Sequence, residues 1–200
     1  LSFNINYAIS GFKEWSYHLF NITFHLLVVL LIYRLGKIII SHIFEEAESK
    51  DNAFNKMPLL AALIFAVHPL NTQAVTYISS RSSVMATIFY LITIILFFEG
   101  VFAKKGKELK INYYLVSGAM MSFAMGLLCK LIVISLPAIL FSYHYYFISN
   151  HNIKTWGKGQ WKWILGGFFL LASAILYKNY FSVDGLLRAS IVNLTIWEYF

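Results

Sequence analysis

Apolar runs about as long as a membrane is thick dominate this sequence, and they leave it few soluble folds. Residues 17–40 and 82–98 are mostly apolar, and crossing the hydrocarbon core of a bilayer takes about 17–25 such residues. Of the 200 residues, 59% are hydrophobic and 12% are charged, against roughly 25% charged in a soluble domain. Because so little charge cannot cover a soluble surface, lipid must be the main solvent of the fold.

The apolar runs predict an all-α, polytopic transmembrane helical bundle of about six spans. We interpret residues 1–200 as part of one transmembrane domain in which residues 1–16 form a segment at the outer face. The predicted spans are residues 17–40, 57–80, 82–98, 111–128, 131–148 and 163–180. Pro69 is expected to break the second span, since proline lacks the amide donor that continues a helix. The chain does not begin with Met, and we expect it to be a fragment of a longer membrane protein.

Basic residues in the loops predict the orientation, because cytoplasmic loops carry an excess of Lys and Arg. The side predicted to be cytoplasmic carries 11 of the 16 basic residues: Arg34, Lys37, Lys50, Lys56, Lys104, Lys105, Lys107, Lys110, Lys154, Lys158 and Lys162. The other side carries the remaining 5, which are Lys13, Arg81, Lys130, Lys178 and Arg188. Residues 1–16, residues 68–81, Lys130 and the C-terminal tail are therefore predicted to share the outer face.

Two cations stand at the predicted outer ends of the central spans. Arg81 follows the polar stretch 68–81, and Lys130 lies between two apolar runs. Guanidinium and ammonium groups bind phosphate oxygens, more strongly where the site is partly desolvated. We therefore predict that Arg81 and Lys130 bind the phosphate of a lipid-linked donor. The alternative is that both side chains simply reach the membrane surface along their apolar stems.

Several other polar residues are candidates for lining a cavity, since polar side chains at membrane depth usually face protein or water. His68 can orient a substrate or act as a base, or it can cap backbone groups freed by Pro69, a role we slightly favour. Interhelical hydrogen bonds are the alternative for the remaining candidates. The predicted cavity-lining residues are His68, Thr72, Gln73, Tyr77, His18, Asn21 and His25.

Several kinds of site are not indicated by the sequence. His18 and His25 have neither the spacing nor the acidic partner of a zinc site, so we expect no metal and no other cofactor. No Walker or Rossmann glycine pattern is present, and no basic stripe indicates nucleic-acid binding. No Asp or Glu falls within a predicted span, so the catalytic residues stay unknown.

Three segments in the same order resemble one known family. They are residues 1–11 with Tyr17–Asn21 and His25 (NYA-x-x-G, then YHL-x-N-x-x-x-H), residues 68–81 (HP, TQAVTYI and Arg), and Cys129-Lys130 with Leu136-Pro137. Together they resemble the membrane half of the transmembrane and tetratricopeptide-repeat glycosyltransferase-like proteins, which are similar to protein O-mannosyltransferases of the C-type superfamily. The resemblance covers about residues 1–148.

The resemblance implies a membrane enzyme with its active site at the outer face. It implies a polyprenyl- or dolichyl-phosphate sugar donor, with mannose as one candidate sugar, and a protein or glycan acceptor. It also implies catalytic acidic residues in an outer loop before Leu1 and tetratricopeptide repeats after the membrane half. Leu131 and Ser83 depart from the family pattern, which often has acidic residues there, and Gln73 stands where Glu is frequent.

We therefore predict a membrane glycosyltransferase that moves a sugar from a polyprenyl-phosphate carrier to a protein or glycan. We expect it in the bacterial inner (plasma) membrane, with the site facing the periplasm or exterior. Its expected partners are membrane lipid, the donor, the acceptor and, as an open question, a larger membrane assembly. One rival is a non-catalytic membrane scaffold or assembly protein with the same fold, which Leu131 and Ser83 favour. The other is a transporter of a lipid-linked anion, for which the expected internal repeat is not found.

Overall fold

Helices form nearly all of the described chain, because a backbone in an apolar solvent must satisfy its polar groups within each segment. A computed structural model describes residues 2–44, 52–101, 104–105, 108–109, 111–147, 166–174 and 177. The helices are α1 (Ser2–Ser10), α2 (Glu14–Phe44), α3 (Asn52–Val67), α4 (Thr72–Thr76), α5 (Arg81–Val101), α6 (Tyr113–Cys129) and α7 (Leu136–Phe147). Residues 166–174 are also helical.

Short elements connect these helices. Three 3₁₀ helices cover Pro69–Asn71, Ile78–Ser80 and Leu131–Ser135. Between α5 and α6, the two-residue strands β1 (Lys104–Lys105) and β2 (Glu108–Leu109) pair antiparallel, with Lys104 opposite Leu109. The chain divides into two compact units, Leu1–Leu136 and Pro137–Phe200, and the candidate site lies wholly within the first.

The prediction of six spans is wrong for the described residues. Two helices there are long and apolar enough to cross a membrane, Glu14–Ser41 and Ile78–Gly100, and a third span results if the bent pair Phe54–Val67 and Pro69–Thr76 is one crossing. These agree with predicted spans 17–40, 82–98 and 57–80, except that residues 78–80 belong to the later helix.

The fourth and fifth predicted spans are too short for that test. Apolar helices cover Tyr113–Cys129 and Leu131–Tyr143, and 17 residues of α-helix reach only about 25 Å at 1.5 Å per residue, less than the ~30 Å core. α6 begins two residues after the predicted start, and the fifth predicted span opens with the 3₁₀ helix Leu131–Ser135 instead of an α-helix. Within the predicted span 163–180, residues 163–165, 175–176 and 178–180 lie outside the described residues.

The predicted outer segment 1–16 holds a helix of its own. α1 ends at Gly11, whose φ of 60° is the left-handed conformation that glycine adopts at low cost. The Gly11 amide donates to the Tyr7 carbonyl at 2.8 Å, as expected after a helix C-terminus. α2 then begins at Glu14, three residues before the predicted Tyr17.

Two packing interfaces carry the first unit. Val28 of α2 and Val84 and Ile88 of α5 form a buried cluster against which Phe65 of α3 packs. On the other side of α5, a Cβ on Gly126 would lie 3.2 Å from Phe89 Cβ and 3.1 Å from Val133 Cγ1. Because Gly126 has no side chain, the end of α6 packs closely against α5. The 3₁₀ helix that follows α6 then lies next to α5.

Candidate functional site

Arg81, the first residue of α5, is buried with 1% of its surface exposed. Its Nη2 donates to Asn6 Oδ1 at 2.9 Å and to the Tyr17 carbonyl at 3.3 Å, and its Nε donates to Asn21 Oδ1 at 3.3 Å. We call Arg81, Asn6, Asn21 and Tyr17 the arginine hub. It joins the first turn of α5 to α1 and to the first turns of α2, although these segments are 60 to 75 residues apart in sequence.

Aromatic rings complete the surroundings of the guanidinium. The Arg81 Cζ atom lies 4.6 Å from the ring centre of Phe3 and 5.6 Å from the ring centres of Tyr17 and Phe20. The faces of aromatic rings attract cations, more strongly where water is excluded. These contacts explain how a charged side chain is accommodated away from solvent, and they hold it in one orientation.

Asn6 connects the arginine hub to the turn between α1 and α2. This fully buried side chain donates from Nδ2 to Ser16 Oγ at 2.8 Å and to Ser10 Oγ at 3.2 Å. The two serine hydroxyls are also hydrogen-bonded to each other. A buried amide with donors and acceptor all paired is stable only in one arrangement of its neighbours, so the network fixes α1 relative to α2.

Asn21 and His25 of α2 bind backbone carbonyls at points where helices end. Asn21 does so within the polar stretch 68–81, and His25 just before it. Asn21 Nδ2 donates to the Tyr77 carbonyl at 3.2 Å, where the chain turns from α4 into the next 3₁₀ helix. His25 Nε2 lies 3.2 Å from the Ala66 carbonyl near the end of α3, and its ring stacks on Phe65. Both side chains satisfy carbonyls that a continuous helix would have used, which is the interhelical role weighed in the sequence analysis.

The remaining candidate residues of this stretch make local contacts. His68 is exposed, and its Nδ1 accepts from the Leu70 amide at 3.2 Å, which caps the 3₁₀ helix at Pro69. Thr72 Oγ1 donates to the Pro69 carbonyl at 2.8 Å. Gln73 and Tyr77 are exposed, and His18 is half-buried. Their cavity-lining role therefore stays a prediction.

Lys130 occupies a very different environment from Arg81. Its side chain is exposed, and Nζ donates to Ser83 Oγ at 2.9 Å. Ser83 lies two residues after Arg81, so both predicted phosphate ligands meet the same first turn of α5. Residues from three of the regions predicted to share the outer face therefore meet around the first turn of α5. Their place at the outer membrane face stays a prediction, and the C-terminal tail lies outside the described residues.

Direct phosphate binding by Arg81 is not indicated by this geometry. Three of its hydrogen bonds already go to groups of the protein, and a phosphate would have to open them. Lys130 has no such obstacle, because one of its three ammonium protons serves Ser83 and the group is accessible. Phosphate binding by either residue stays a prediction.

A pocket of about 260 Å³ lies between α5 and the 3₁₀ helix Leu131–Ser135, and we call it the α5 groove. Its lining residues are Ala86, Thr87, Tyr90, Ile132, Val133 and Ser135. None of these residues belongs to the predicted site. Among the described residues, no group of three or more His, Cys, Asp and Glu side chains is placed to hold a metal ion.

Comparison with known proteins identifies relatives of one kind. Protein O-mannosyl-transferase TMTC3 of Homo sapiens is 30% identical over 130 residues, which is 65% of this chain and 12% of that protein. Protein O-mannosyl-transferase TMTC2 of Mus musculus is 33% identical over 99 residues, 50% of this chain and 10% of that protein. Protein O-mannosyl-transferase F38B6.6 of Caenorhabditis elegans is 36% identical over 95 residues, 48% of this chain and 12% of that protein.

The chain is similar to protein O-mannosyl-transferases. This confirms the recognition made from the three motif segments. The chain spans only about an eighth of the length of these relatives. No protein-family model and no solved structure matches it significantly, so the C-type glycosyltransferase fold stays a prediction.

The sequence analysis missed Asn6, Ser10 and Ser16 as partners in this site. A usable signal was present, because Asn6 and Ser10 are four residues apart and share one face of α1. The α5 groove was missed for a different reason. Ser83, Thr87 and Tyr90 follow at helical spacing, but the residues that face them come from a 3₁₀ helix that the sequence reads as an ordinary span.

Proposed function

We propose that this chain is part of a membrane glycosyltransferase that transfers a sugar, with mannose as the first candidate, from a polyprenyl-phosphate carrier to a protein. The observation that carries the proposal is its similarity to proteins named protein O-mannosyl-transferases, in a chain whose described helices suit a membrane. The donor, the sugar and the acceptor are our inference, as is a glycan acceptor in place of a protein.

Lys130 is the proposed contact for the donor phosphate. It is an exposed ammonium group beside a serine hydroxyl, at an end of α5 where apolar helices give way to polar chain. A phosphate carried by a membrane lipid reaches this depth, and a lysine there offers a strongly attractive point charge. Arg81 lies on the buried side of the same turn of α5. We therefore propose that Arg81 holds α1, α2 and α5 in position.

The proposed reaction is an inverting transfer. The acceptor hydroxyl oxygen forms a bond to the anomeric carbon of the sugar, and the bond from that carbon to the phosphate oxygen breaks. A base takes the hydroxyl proton, and polyprenyl phosphate leaves as a dianion whose charge Lys130 stabilises. We propose that the base is a carboxylate from an outer loop preceding Leu1, as the family resemblance implies.

The membrane face follows from the loop charges. The positive-inside rule places Lys130 and the arginine hub at the outer face, which is the face proposed for the transfer. A bacterial inner membrane remains our proposal from the sequence, while the relatives named above come from animals. Cysteine accessibility at Ser82→Cys, measured with an impermeant reagent on intact cells, tests the orientation of the exposed residue beside Arg81.

Transfer from a defined donor tests the proposed function. Membranes that contain the full-length protein are supplied with polyprenyl-phosphate mannose and a Ser/Thr-containing peptide, and labelled peptide is measured. At a donor concentration below saturation, Lys130→Ala is expected to lower the rate at least 10-fold. Lys13→Ala removes another exposed lysine predicted on the same face and is expected to leave the rate unchanged. Full activity of Lys130→Ala would refute the phosphate contact.

A non-catalytic scaffold is the second candidate function. Ser83 and Leu131 replace residues that are often acidic in the family, and Ser83 is the residue that Lys130 contacts. If the wild-type protein is folded and transfers no sugar from any polyprenyl-phosphate donor, the scaffold is the better account.

A further inference from the structure

We infer that α1 is an interfacial helix that lies along the membrane surface, with the Ile5 and Ile9 side chains inserted into bilayer lipid. The inference does not depend on sugar transfer, and it adds a second kind of membrane contact to that of the spanning helices. α1 has nine residues, which is too few to cross a bilayer. Its contact with lipid therefore has to run along the membrane surface.

Polar side chains of α1 face the protein, and apolar side chains face away from it. Asn6 is fully buried and hydrogen-bonded to Arg81 and Ser16. Ile5 and Ile9, by contrast, are 57% and 69% exposed. A helix on the surface of a soluble domain has the reverse pattern, with its apolar side toward the core. The pattern of α1 is favourable where lipid rather than water covers the isoleucines.

The helix has three sides that suit three different surroundings. Asn6 and Ser10, four residues apart, share the side that faces the protein. Ile5 and Ile9 share a second side by the same spacing. Asn4 is exposed and lies about 100–140° around the helix from the two isoleucines, because successive residues are about 100° apart. Protein, lipid and water are the three surroundings of a helix at the surface of a membrane protein.

The exposed apolar side chains continue from α1 onto α2. On α2 they recur at intervals of three or four residues and so form one stripe, which consists of Trp15, Leu19, Ile22, Leu26 and Leu30. Residues Glu14–Ser41 are long and apolar enough to span a membrane, so lipid is the expected neighbour of this stripe. Trp15 stands at the end of the stripe that adjoins α1, where a spanning helix typically meets the membrane surface.

The turn between α1 and α2 also has the composition of a membrane surface. Phe12 is 85% exposed, and its ring centre lies 4.9 Å from that of Tyr7. Lys13 and Glu14 follow directly and are exposed as well. Aromatic rings favour the level of the lipid head groups, and a lysine stem can lie along lipid while its ammonium group stays in water. This mixture supports a position of α1 at the head-group level.

The depth of a spin label in the bilayer tests the inference. The full-length protein in nanodiscs carries a nitroxide on p-acetylphenylalanine, which is introduced at Ile9, Asn4 or Leu26 and is labelled without use of cysteine. Collisions with oxygen report lipid, and collisions with a water-soluble nickel chelate report water. At Ile9 we expect oxygen to dominate, with a depth of about 5–10 Å into the boundary between head groups and acyl chains. Asn4, exposed on the same helix, is the matched control and is expected to be several-fold more accessible to nickel, whereas Leu26 is expected to lie deeper than Ile9.

Each alternative gives a different result. Equal accessibility to nickel at Ile9 and Asn4 would overturn the inference and place α1 in water. A label at Ile9 that is shielded from both oxygen and nickel would overturn it in favour of a protein segment or a second copy that covers this side. The label at Ile5 repeats the measurement one turn earlier and is expected to agree with Ile9; a label there as accessible to nickel as at Asn4 would also contradict the inference.

Discussion

Arg81 and Lys130 were both predicted from the sequence to bind the donor phosphate, but the structure places them in contrasting surroundings. Arg81 is 1% exposed and hydrogen-bonded to two asparagines and a backbone carbonyl, whereas Lys130 is exposed and contacts Ser83. The planar guanidinium with five donors suits a fixed network, and the flexible ammonium suits an incoming ligand. A cation at membrane depth can therefore hold helices together, and its presence alone does not indicate a ligand site.

The largest difference between the two cations is expected in folding stability. Arg81→Met leaves the amide oxygens of Asn6 and Asn21 without this donor, and each unsatisfied buried group costs about 1–3 kcal/mol. We expect a loss of at least about 3 kcal/mol, measured as reversible unfolding in detergent. Lys130→Met is the matched control and is expected to change stability by less than about 1 kcal/mol. Equal losses would remove the distinction between the two sites.

The partners of Arg81 are expected to show the next largest effect. Asn6→Leu removes an acceptor of Arg81 and the donor to Ser16, and we expect a loss of about 2 kcal/mol. Asn4→Leu changes an exposed asparagine of the same helix and is expected to have little effect on the same unfolding measurement. A stable Asn6→Leu protein would mean that the arginine hub does not hold α1.

The packing of α6 against α5 and the 3₁₀ helix, next to Lys130, is expected to show a smaller effect on stability. Gly126→Ala places a Cβ about 3.1 Å from Val133 Cγ1 and 3.2 Å from Phe89 Cβ, and overpacking of this kind costs about 1–3 kcal/mol. Offset by the better helix propensity of Ala, about 1 kcal/mol, the net loss is expected to be about 1 kcal/mol. At Gly118 the nearest atom would be Leu96 Cδ1 at 3.4 Å, so Gly118→Ala is expected to be neutral or stabilising.

The smallest effect is expected at His68. Its Nδ1 caps the 3₁₀ helix through the Leu70 amide, and the loss of a cap costs about 1 kcal/mol. We expect His68→Ala to lower the unfolding temperature slightly while transfer activity per folded molecule stays within twofold. Lost transfer in a protein of unchanged stability would instead assign His68 a role in the chemistry.

Some of this architecture was predictable because local signals govern it. The apolar runs at residues 17–40 and 82–98 predicted two long helices, and Pro69 predicted the break after α3, all of which the structure contains. The motif residues Asn21, His25 and Arg81 were singled out from the sequence and are buried in the structure, whereas cavity lining by the first two and phosphate binding by Arg81 stay predictions. The similarity of the chain to protein O-mannosyl-transferases was also anticipated from the same segments.

The rest depended on partners that no local pattern specifies. Asn6 and Arg81 are 75 residues apart, and nothing near either residue indicates that the amide oxygen of one would bind the guanidinium of the other. The count of spans failed because hydropathy does not register that residues 131–135, the start of the fifth predicted span, form a 3₁₀ helix, or that α6 has only 17 residues. The α5 groove is lined by that 3₁₀ helix, so it was not predicted either.

One measurement tests the division of labour between the two cations most directly: the shift in unfolding temperature that polyprenyl phosphate produces in Arg81→Lys and Lys130→Gln proteins. A ligand that binds the folded state raises stability by mass action. The account predicts that Arg81→Lys unfolds at a lower temperature but keeps the full ligand-induced shift, and that Lys130→Gln unfolds as the wild type does but loses the shift. The reverse pattern would contradict it and make Arg81 the phosphate ligand.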